Sequence, residues 1–396
     1  MAGLTRAPLA LTGCASRLPR GLGPPPPGRG LVGVGGFLER DPATFDPGAF
    51  GLSDREAATL DPMHRWLLET TRELLEGSGT PAASLPADRT GVFVGAAASE
   101  FAPIARRVPL DDAMYLASGT GAGTAAGRLA YTFGWRGEVV AVDTACSSGL
   151  VALHQACRAL WDGRLDVAVV AAVNVLLDPE VGARLAASGL TSPSGQLRSF
   201  GAGADGYVRG EGCVALLVRR APRPEDTVLA WIEGSAVNHG GATNGLTAPS
   251  PRAERDVLRA ALVDAGRAPS EVGYHEGHGS GTALGDAVEL EAVAEVFTGV
   301  DDLWLGSVKA RIGHLEAVAG LAGLAAAVEV LRTGTIPATG EGREAPVRVA
   351  AAPTPLPRPV VTVASFGLGG TNAAVVLGKG PPPRPESGPP GPEPIC

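Results

Sequence analysis

Apolar runs alternate with amphipathic segments along most of the chain, a pattern typical of layered α/β proteins. The apolar runs predict strands at Leu9–Gly13, Arg89–Val94, Glu138–Asp143, Val167–Val175, Val214–Arg219, Thr227–Ser235, Leu303–Ser307, Val360–Ser365 and Ala373–Leu377. Helical periodicity predicts helices at Asp54–Gly77, Ser147–Asp162, Pro251–Ala265, Asp286–Phe297 and His314–Arg332. We therefore expect a large sheet with helices packed on its faces.

The same order of elements occurs twice. Each half has a strand that leads to a loop with a reactive residue, then a helix and further strands. We place the boundary in the polar connection Arg220–Thr227, which predicts an N-terminal half at 1–222 and a C-terminal half at 223–378. Two segments rich in Pro and Gly lack any hydrophobic period. We predict a disordered loop at Leu18–Gly36 and a disordered tail at 379–396.

Composition excludes several classes of protein. With 45% hydrophobic residues, 396 residues can bury a large core. A net charge of -8 argues against nucleic-acid binding. No apolar run reaches the ~18 residues of a membrane span, and the run before Cys14 is too short for a secretory signal. Five cysteines form no C-x-x-C pair, so no metal or disulfide site is indicated, and reduced thiols predict a cytoplasmic protein.

Cys146 follows the apolar, β-branched strand around Val140 and precedes a predicted helix. A thiol at a helix N-terminus is shifted toward thiolate by the helix dipole and free N–H groups. The local sequence fits a nucleophile and a small buried cysteine, such as Cys157, equally well. The other motifs are needed to decide.

Two histidines lie in separate glycine-rich segments. His278 is within Glu276–Thr282, and Asp286 and Glu289 follow on the next predicted helix. His314 comes five residues after Lys309. A lone histidine is usually structural, and this interpretation suits His64, His154, His239 and His275. Two histidines in glycine loops, together with a lysine and Cys146, favour a catalytic site. A third glycine-rich segment, Ser365–Asn372, could face an oxyanion.

These segments resemble the motifs of the β-ketoacyl synthase family. The resemblance is carried by Val142–Ser148, Glu276–Thr282, Lys309–His314 and Gly369–Asn372, and it extends from about Leu9 to Leu377. It is closer to ketosynthase domains of modular polyketide synthases than to those of fatty-acid synthases. The resemblance implies an α/β thiolase fold with five αβαβα layers built from two related halves, and usually a homodimer.

The resemblance also implies roles. Cys146 would accept an acyl group from coenzyme A or from the phosphopantetheine of an acyl carrier protein, with no bound cofactor or metal. The N–H groups of Cys146 and Leu368 would form the oxyanion hole. His278 and His314 would stabilise the enolate left when a malonyl-type extender loses carbon dioxide. Lys309 would pair with Glu289. Supporting or substrate-binding positions would be Ser280, Thr282, Asp286, Phe366, Gly369, Gly370 and Thr371.

Some positions depart from the pattern of the family. Leu368 stands where many fatty-acid relatives have a phenylalanine gate, and Arg311 replaces a small polar residue. No carrier or acyltransferase sequence follows Leu377, so we expect the chain to act in trans, as a homodimer or with another synthase-like chain. Two alternatives are acyl transfer to an amine or alcohol without decarboxylation, and a non-catalytic partner protein. The intact set of Cys146, two histidines and lysine argues against the second.

Overall fold

The computed structural model describes residues 6–105, 112–340 and 347–380. Its strands are β1 Leu9–Arg17, β2 Thr90–Ala96, β3 Val139–Val142, β4 Val167–Asn174, β5 Gly212–Arg219, β6 Ala230–His239, β7 Tyr274–Glu276, β8 Trp304–Gly306, β9 Thr335–Ile336, β10 Arg348–Val349, β11 Thr354–Pro355, β12 Val360–Phe366 and β13 Thr371–Gly378. Its helices are α1 Asp54–Ala58, α2 Pro62–Gly77, α3 Phe101–Ile104, α4 Ala113–Thr120, α5 Ala122–Phe133, α6 Ser148–Trp161, α7 Pro179–Ala187, α8 Pro251–Ala265, α9 Ala283–Val296, α10 Lys309–Ile312 and α11 Ala319–Thr333.

The strand order is the same in the two halves. The first half has the order β3-β2-β4-β5-β1, and the second has β8-β7-β12-β13-β6, with β10 added at its edge. The strand directions also match. In each order as written, the first three strands pair in parallel, and the next two pairings are antiparallel. Antiparallel pairing of β1 with β6 joins the halves into one sheet. The connection that contains the expected boundary at 222/223 runs between β5 and β6.

Helices cover the sheet in three layers. α2 and α5 pack on the outer face of the first half, and α8 and α9 pack on the outer face of the second. α6 and α11 lie between the two halves of the sheet. Both faces of β4 are therefore buried, which explains why its sequence is apolar throughout rather than alternating. The five αβαβα layers of the thiolase fold are confirmed.

Glycines allow α6 and α11 to approach closely. A Cβ added to Gly320 would lie 2.5 Å from Cγ of Leu150, and a Cβ on Gly149 would lie 2.9 Å from Cγ of Leu321. Contacts this short do not occur between real carbon atoms, so only glycine fits at either position. The two helices begin at the segments that contain Cys146 and His314. Their close contact therefore brings these two segments together.

Two predicted helices differ most from the observed bounds. The single helix predicted at Asp54–Gly77 is α1 and α2, because Asp61 leaves helical geometry and its carboxylate accepts a hydrogen bond from the N–H of Met63 at 2.8 Å. The helix predicted from His314 begins only at Ala319, because Glu316 has a left-handed φ of 49°. The short strand β7 and the helices α4, α5 and α7 were not predicted.

The segment predicted as a disordered loop is an ordered loop fixed to the core. The guanidinium of Arg29 donates to both carboxylate oxygens of Glu211, at 3.0 and 2.6 Å, and to the carbonyl of Leu176. Both ionic side chains are buried, and loss of either partner would leave an uncompensated buried charge, which is strongly destabilising. The prediction of disorder is wrong for this segment. In the predicted tail, residues 381–396 lie outside the described part of the chain.

The contact between α6 and α11 makes a testable prediction for stability. Gly320→Ala should destabilise the protein by about 1–3 kcal/mol, because the added methyl overpacks the contact with Leu150. Gly182→Ala is a matched control within α7, where an added Cβ meets nothing within 4 Å, and it should stabilise by about 0.5–1 kcal/mol. Denaturant unfolding of both variants would measure the difference. Equal effects would contradict the close helix contact.

Candidate active site

Cys146 lies at a sharp turn between β3 and α6. Ala145, the residue before it, has a left-handed φ of 55°, which costs free energy in a non-glycine residue and is typical of functional turns. The turn is held by Ser148, whose Oγ accepts from the N–H of Thr144 and donates to the carbonyl of Ala145. Ser365 Oγ donates to the carbonyl of Cys146 at 2.8 Å. The strand end, the helix start and β12 together fix the thiol.

The Cys146 thiol is neutral in the free protein. Burial raises its pKa to about 12, and the Glu316 carboxylate acts in the same direction. Lys309 and hydrogen bonds from the backbone N–H groups of Leu368 and Cys146 oppose this shift without overcoming it. The backbone N–H groups thus favour thiolate, as expected for a helix start, but desolvation acts more strongly in the opposite direction. The N–H groups of Leu368 and Cys146, which were expected to form an oxyanion hole, are thus both near enough to the sulfur to lower its pKa.

His278 is held by backbone groups of two loops. Its main-chain N–H donates to Glu289 Oε1 at 2.6 Å, and its Nδ1 accepts from the N–H of Phe366 at 3.4 Å. Because Nδ1 is the acceptor, the proton of the neutral ring is on Nε2. Burial lowers the pKa of His278 well below its usual value, with further contributions from Lys309 and His314. The ring is a neutral donor.

His314 has the same tautomer. Its Nδ1 accepts from the N–H of Glu316 at 2.9 Å, so Nε2 carries the proton. Burial and the charge of Lys309 lower its pKa to about 3. The His278 and His314 rings meet edge to face with centroids 5.3 Å apart, and the ring of Tyr207 lies 5.2 Å from His314 on another side. Two neutral imidazoles thus lie side by side.

An ion network fixes the turn after His314. Arg209 donates to both carboxylate oxygens of Glu316, at 2.7 and 3.1 Å, and to Glu100 at 2.6 Å. These contacts hold the left-handed backbone of Glu316, whose N–H orients the His314 ring. Arg209 also pairs with His314 through the backbone, since Gly210 N–H donates to the carbonyl of His314. The ion pairs of Arg209 therefore help to fix the orientation of the His314 ring.

Lys309 is fully buried, but its expected ion pair with Glu289 does not form. Among the described residues, the Glu289 carboxylate accepts the N–H groups of His278 and Gly279 instead. Glu276, the nearby carboxyl with the largest effect on Lys309, accepts from Val308 N–H and Tyr274 Oη. Burial lowers the pKa of Lys309, and these carboxyls oppose the shift. The lysine therefore acts on the site through its electrostatic field rather than through an ion pair.

The loop after His278 is held by Asp286. Its carboxylate accepts from the N–H groups of Gly281 at 3.0 Å and Phe200 at 2.6 Å. Ser280 and Thr282 share a hydrogen bond of 2.9 Å between their hydroxyls. Asp286 therefore supports the loop, whereas Ser280 and Thr282 lie at its end, where Thr282 is only half-buried.

The late glycine loop is a tight turn beside Cys146. Gly370 N–H donates to the carbonyl of Gly367 at 2.8 Å, which places Leu368 and Gly369 at the centre of the turn. A Cβ on Gly367 would lie 2.3 Å from the carbonyl of Thr144, so this glycine is required for contact with the cysteine turn. The Phe366 ring lies 5.7 Å from the His278 ring. Thr371 begins β13 directly after the turn.

The structure thus collects Cys146, His278, Lys309, His314 and the turn with Leu368 in one place. Arg311, by contrast, is exposed on α10, and its charge acts on the buried pair Tyr274 and Glu276. No group of His, Cys, Asp and Glu that could hold a metal is present in the described residues.

Comparison with known proteins identifies the family. The model of the β-ketoacyl synthase N-terminal domain matches residues 9–223, and that of the C-terminal domain matches residues 229–342. The chain belongs to the β-ketoacyl synthase family. One similar solved structure is the oxazolomycin ketosynthase domain KS7 of Streptomyces albus JA3453, with 35% identity and a TM-score of 0.84 over 95% of this chain and 75% of that one. Another is the ketosynthase of module 6 of the Bacillus subtilis 168 bacillaene synthase, with 31% identity and a TM-score of 0.84 over 94% of this chain and 72% of that one.

Similar curated proteins come from polyketide synthases. They include a mycocerosic acid synthase-like polyketide synthase of Mycolicibacterium smegmatis, 41% identical over 90% of this ketosynthase chain and 18% of the relative. A component of the phenolphthiocerol/phthiocerol polyketide synthase of Mycobacterium tuberculosis is 43% identical over 89% of the chain and 20% of the relative. The chain thus spans about one fifth of the length of these relatives. Whether it acts in trans stays a prediction.

Several residues that shape the site were not predicted. Ala145, Phe200 and Glu316 all have positive φ, and Arg209 joins Glu316 to Glu100. Glu316 was visible in the sequence as the acid two residues after His314. The others had no signal, because backbone strain and ion pairing between distant residues have no local pattern.

No helix in the described ranges is long and apolar enough to cross a membrane.

Glu254 on α8 predicts a pH dependence of stability. Burial, Glu289 and Asp286 raise its pKa to about 9, above the ~4.3 of an unfolded chain. Between these two pKa values the folded protein keeps the proton of Glu254, whereas the unfolded chain loses it. The free energy of unfolding that this carboxyl contributes is therefore lost as the pH rises from about 4.5 to about 9. Glu254→Gln should therefore gain stability relative to wild type as the pH rises from about 5 to about 8.

Chemical unfolding at both pH values would measure this gain. Glu291→Gln is the matched control, since Glu291 is exposed on α9. Its stability difference from wild type should be the same at both pH values. A constant difference for Glu254→Gln would show that this carboxyl is ionised in the folded protein.

Proposed function

We propose that this ketosynthase forms carbon–carbon bonds by decarboxylative Claisen condensation in polyketide-type biosynthesis. In the first step Cys146 takes an acyl group from a thioester of a carrier protein or coenzyme A, and its proton goes to the departing thiol. In the second step a malonyl-type thioester loses carbon dioxide, and its enolate carbon attacks the acyl carbonyl on Cys146. The Cys146 thiolate then leaves and takes a proton from solvent.

The tautomers of the two histidines carry this proposal. Both rings are neutral, both use Nδ1 to accept a backbone N–H, and both therefore present Nε2–H. Two such donors beside the thiol suit a thioester oxygen that becomes negative as carbon dioxide leaves. Because the backbone already occupies Nδ1, neither ring is arranged to pass a proton through itself.

The turn that holds Leu368 supports the first step. Its N–H and that of Cys146 both lower the pKa of the thiol, and we propose that they donate to the oxygen of a tetrahedral intermediate formed there. The charge of Lys309 also favours the developing anions. Ser280 and Thr282 are proposed to contact the pantetheine arm or extender, because their hydroxyls lie at the end of the loop that contains His278.

Two kinds of substitution test the division of labour between the steps. Cys146→Ala should abolish acyl-enzyme formation with the fold intact, because alanine fits the small-residue turn. His278→Ala and His314→Ala should each lower decarboxylation of a malonyl thioester by on the order of a hundredfold or more. Both should spare acylation of Cys146 more than decarboxylation.

Intact-mass analysis with a panel of acyl carriers would measure acylation, and release of carbon dioxide would measure decarboxylation. Acylation of the active site in the Cys146→Ala variant would contradict the assignment of Cys146 as the nucleophile. Acylation of wild type without carbon dioxide release, combined with transfer to an amine or alcohol, would replace condensation by ester or amide formation.

We also propose that the chain forms a two-fold symmetric homodimer through β3. This strand is last in order at one edge of the sheet, and Val139 on it is half-exposed. The flanking Tyr131 on α5 is 88% exposed and Met114 on α4 is 79% exposed. A free sheet edge beside exposed large apolar side chains is suited to pairing with a second copy.

Light scattering at micromolar concentration would test the dimer. The protein should give a mass of about 80 kDa, twice the chain mass of 39.9 kDa. Tyr131→Glu should shift it toward the monomer, whereas Val263→Glu, at a similarly exposed site on α8, should not. A wild-type monomer would favour pairing with a different synthase-like chain.

A further inference from the structure

His239 at the end of β6 contacts the turn that contains Leu368. The residue pairs with Thr371 in the sheet, directly after the turn. No sequence motif assigns it a function, and its side chain is exposed. Its position beside the turn that contains Leu368, however, is held by specific hydrogen bonds rather than by burial.

The two hydrogen bonds of the ring fix its tautomer. Nδ1 accepts from the N–H of Gly241 at 2.9 Å, so Nε2 carries the proton of the neutral ring. Nε2 lies 2.9 Å from the carbonyl oxygen of Gly369 and therefore donates to it. His239 thus links the segment after β6 to the centre of the turn.

The turn depends on few other contacts. Gly369 and Leu368 are its two central residues. Within the turn Gly370 N–H donates to Gly367, and Gly367 N–H donates to the carbonyl of Thr371 at its end, each at 2.8 Å. Outside it, Gly240 N–H donates to the carbonyl of Gly370 at 2.9 Å. The His239 ring lies over Gly370, where an added Cβ would be 3.1 Å from Cε1 and Nε2. Glycine at both ends leaves the backbone free to move unless it is held from outside.

Little packing supports this region. A cavity of about 200 Å³ is lined by His239, Thr243, Leu246, Gly370 and other residues of the segment after β6. Leu246 is 79% exposed and Leu368 is 44% exposed. Since apolar packing is thin here, the hydrogen bond from His239 to Gly369 is the main side-chain contact that the described residues give to the centre of the turn.

We propose that His239 is a positioning residue for acyl transfer. Its bond to Gly369 holds the turn so that the N–H of Leu368 points at the oxygen of the intermediate on Cys146. This role deepens the proposed function and rests on it for the nature of the acyl donor. It concerns the rate of oxyanion formation and predicts no loss of the thiol's reactivity in other chemistry.

Three substitutions separate the two hydrogen bonds. His239→Ala removes both. His239→Asn can still accept from Gly241 but does not reach Gly369, and His239→Gln is long enough to restore the donor. Thr243→Ala is the matched control, because it removes a hydrogen bond to Gly245 within the same segment and leaves the turn untouched.

Two reactions of Cys146 provide the readout. Acylation by p-nitrophenyl acetate passes through an oxyanion, whereas alkylation by iodoacetamide does not. In His239→Ala and His239→Asn, the kcat for acylation should fall by about tenfold, less than the ~100-fold loss of a whole oxyanion donor. KM, the alkylation rate and the melting temperature should change little. His239→Gln should recover most of the rate, and Thr243→Ala should match wild type.

Unchanged acylation in His239→Ala, or equal loss of acylation and alkylation, would overturn the positioning role. Wild-type rates in His239→Asn would show that the bond to Gly369 is not the important one. Cys146→Ala gives the background for both reactions. Because p-nitrophenyl acetate needs no carrier or extender, failure of decarboxylation would refute the proposed function without affecting this test.

Discussion

The close contact of α6 with α11 is the constraint on which the site depends. Gly149 and Gly320 let the helix backbones approach to a distance that any Cβ would prevent. The helix starts then bring the cysteine turn of one half beside the histidine and lysine segment of the other. The strand order shows that these two segments follow equivalent strands, β3 and β8. A repeated fold has thus placed different chemistry at related positions.

Burial of this contact region determines the charge of the groups at the candidate site. Desolvation is the largest cause of the shifts at Cys146, His278, His314 and Lys309, and it opposes the charged form in each. Neutral imidazoles and a neutral thiol result. Charge is retained nearby where it is paired, as in Arg209 with Glu316. The neutral imidazoles at the site are therefore suited to donate hydrogen bonds to a transient anion.

The sequence was sufficient for the main architecture and for the residues that meet at the site. Apolar runs located most long strands, because these strands are buried on both faces. Three motifs located Cys146, His278 and the pair Lys309 and His314. The sequence could not show how burial competes with a helix dipole at Cys146, nor that Glu289 would bind backbone N–H groups instead of Lys309. Both outcomes depend on neighbours that only folding brings together. The Pro-rich loop was misjudged because its anchor, Glu211, lies 182 residues from Arg29.

The position of β1 affects the order in which the chain can fold. It is the first strand in sequence, yet Leu11 pairs with Val218 of β5 and with Ala230 of β6. Its partners therefore leave the ribosome about two hundred residues after it or later. Contacts between such distant segments slow folding, because a long loop must close before they form. Until then the apolar strand Leu9–Gly13 is exposed, so the nascent chain needs protection from aggregation through much of its synthesis.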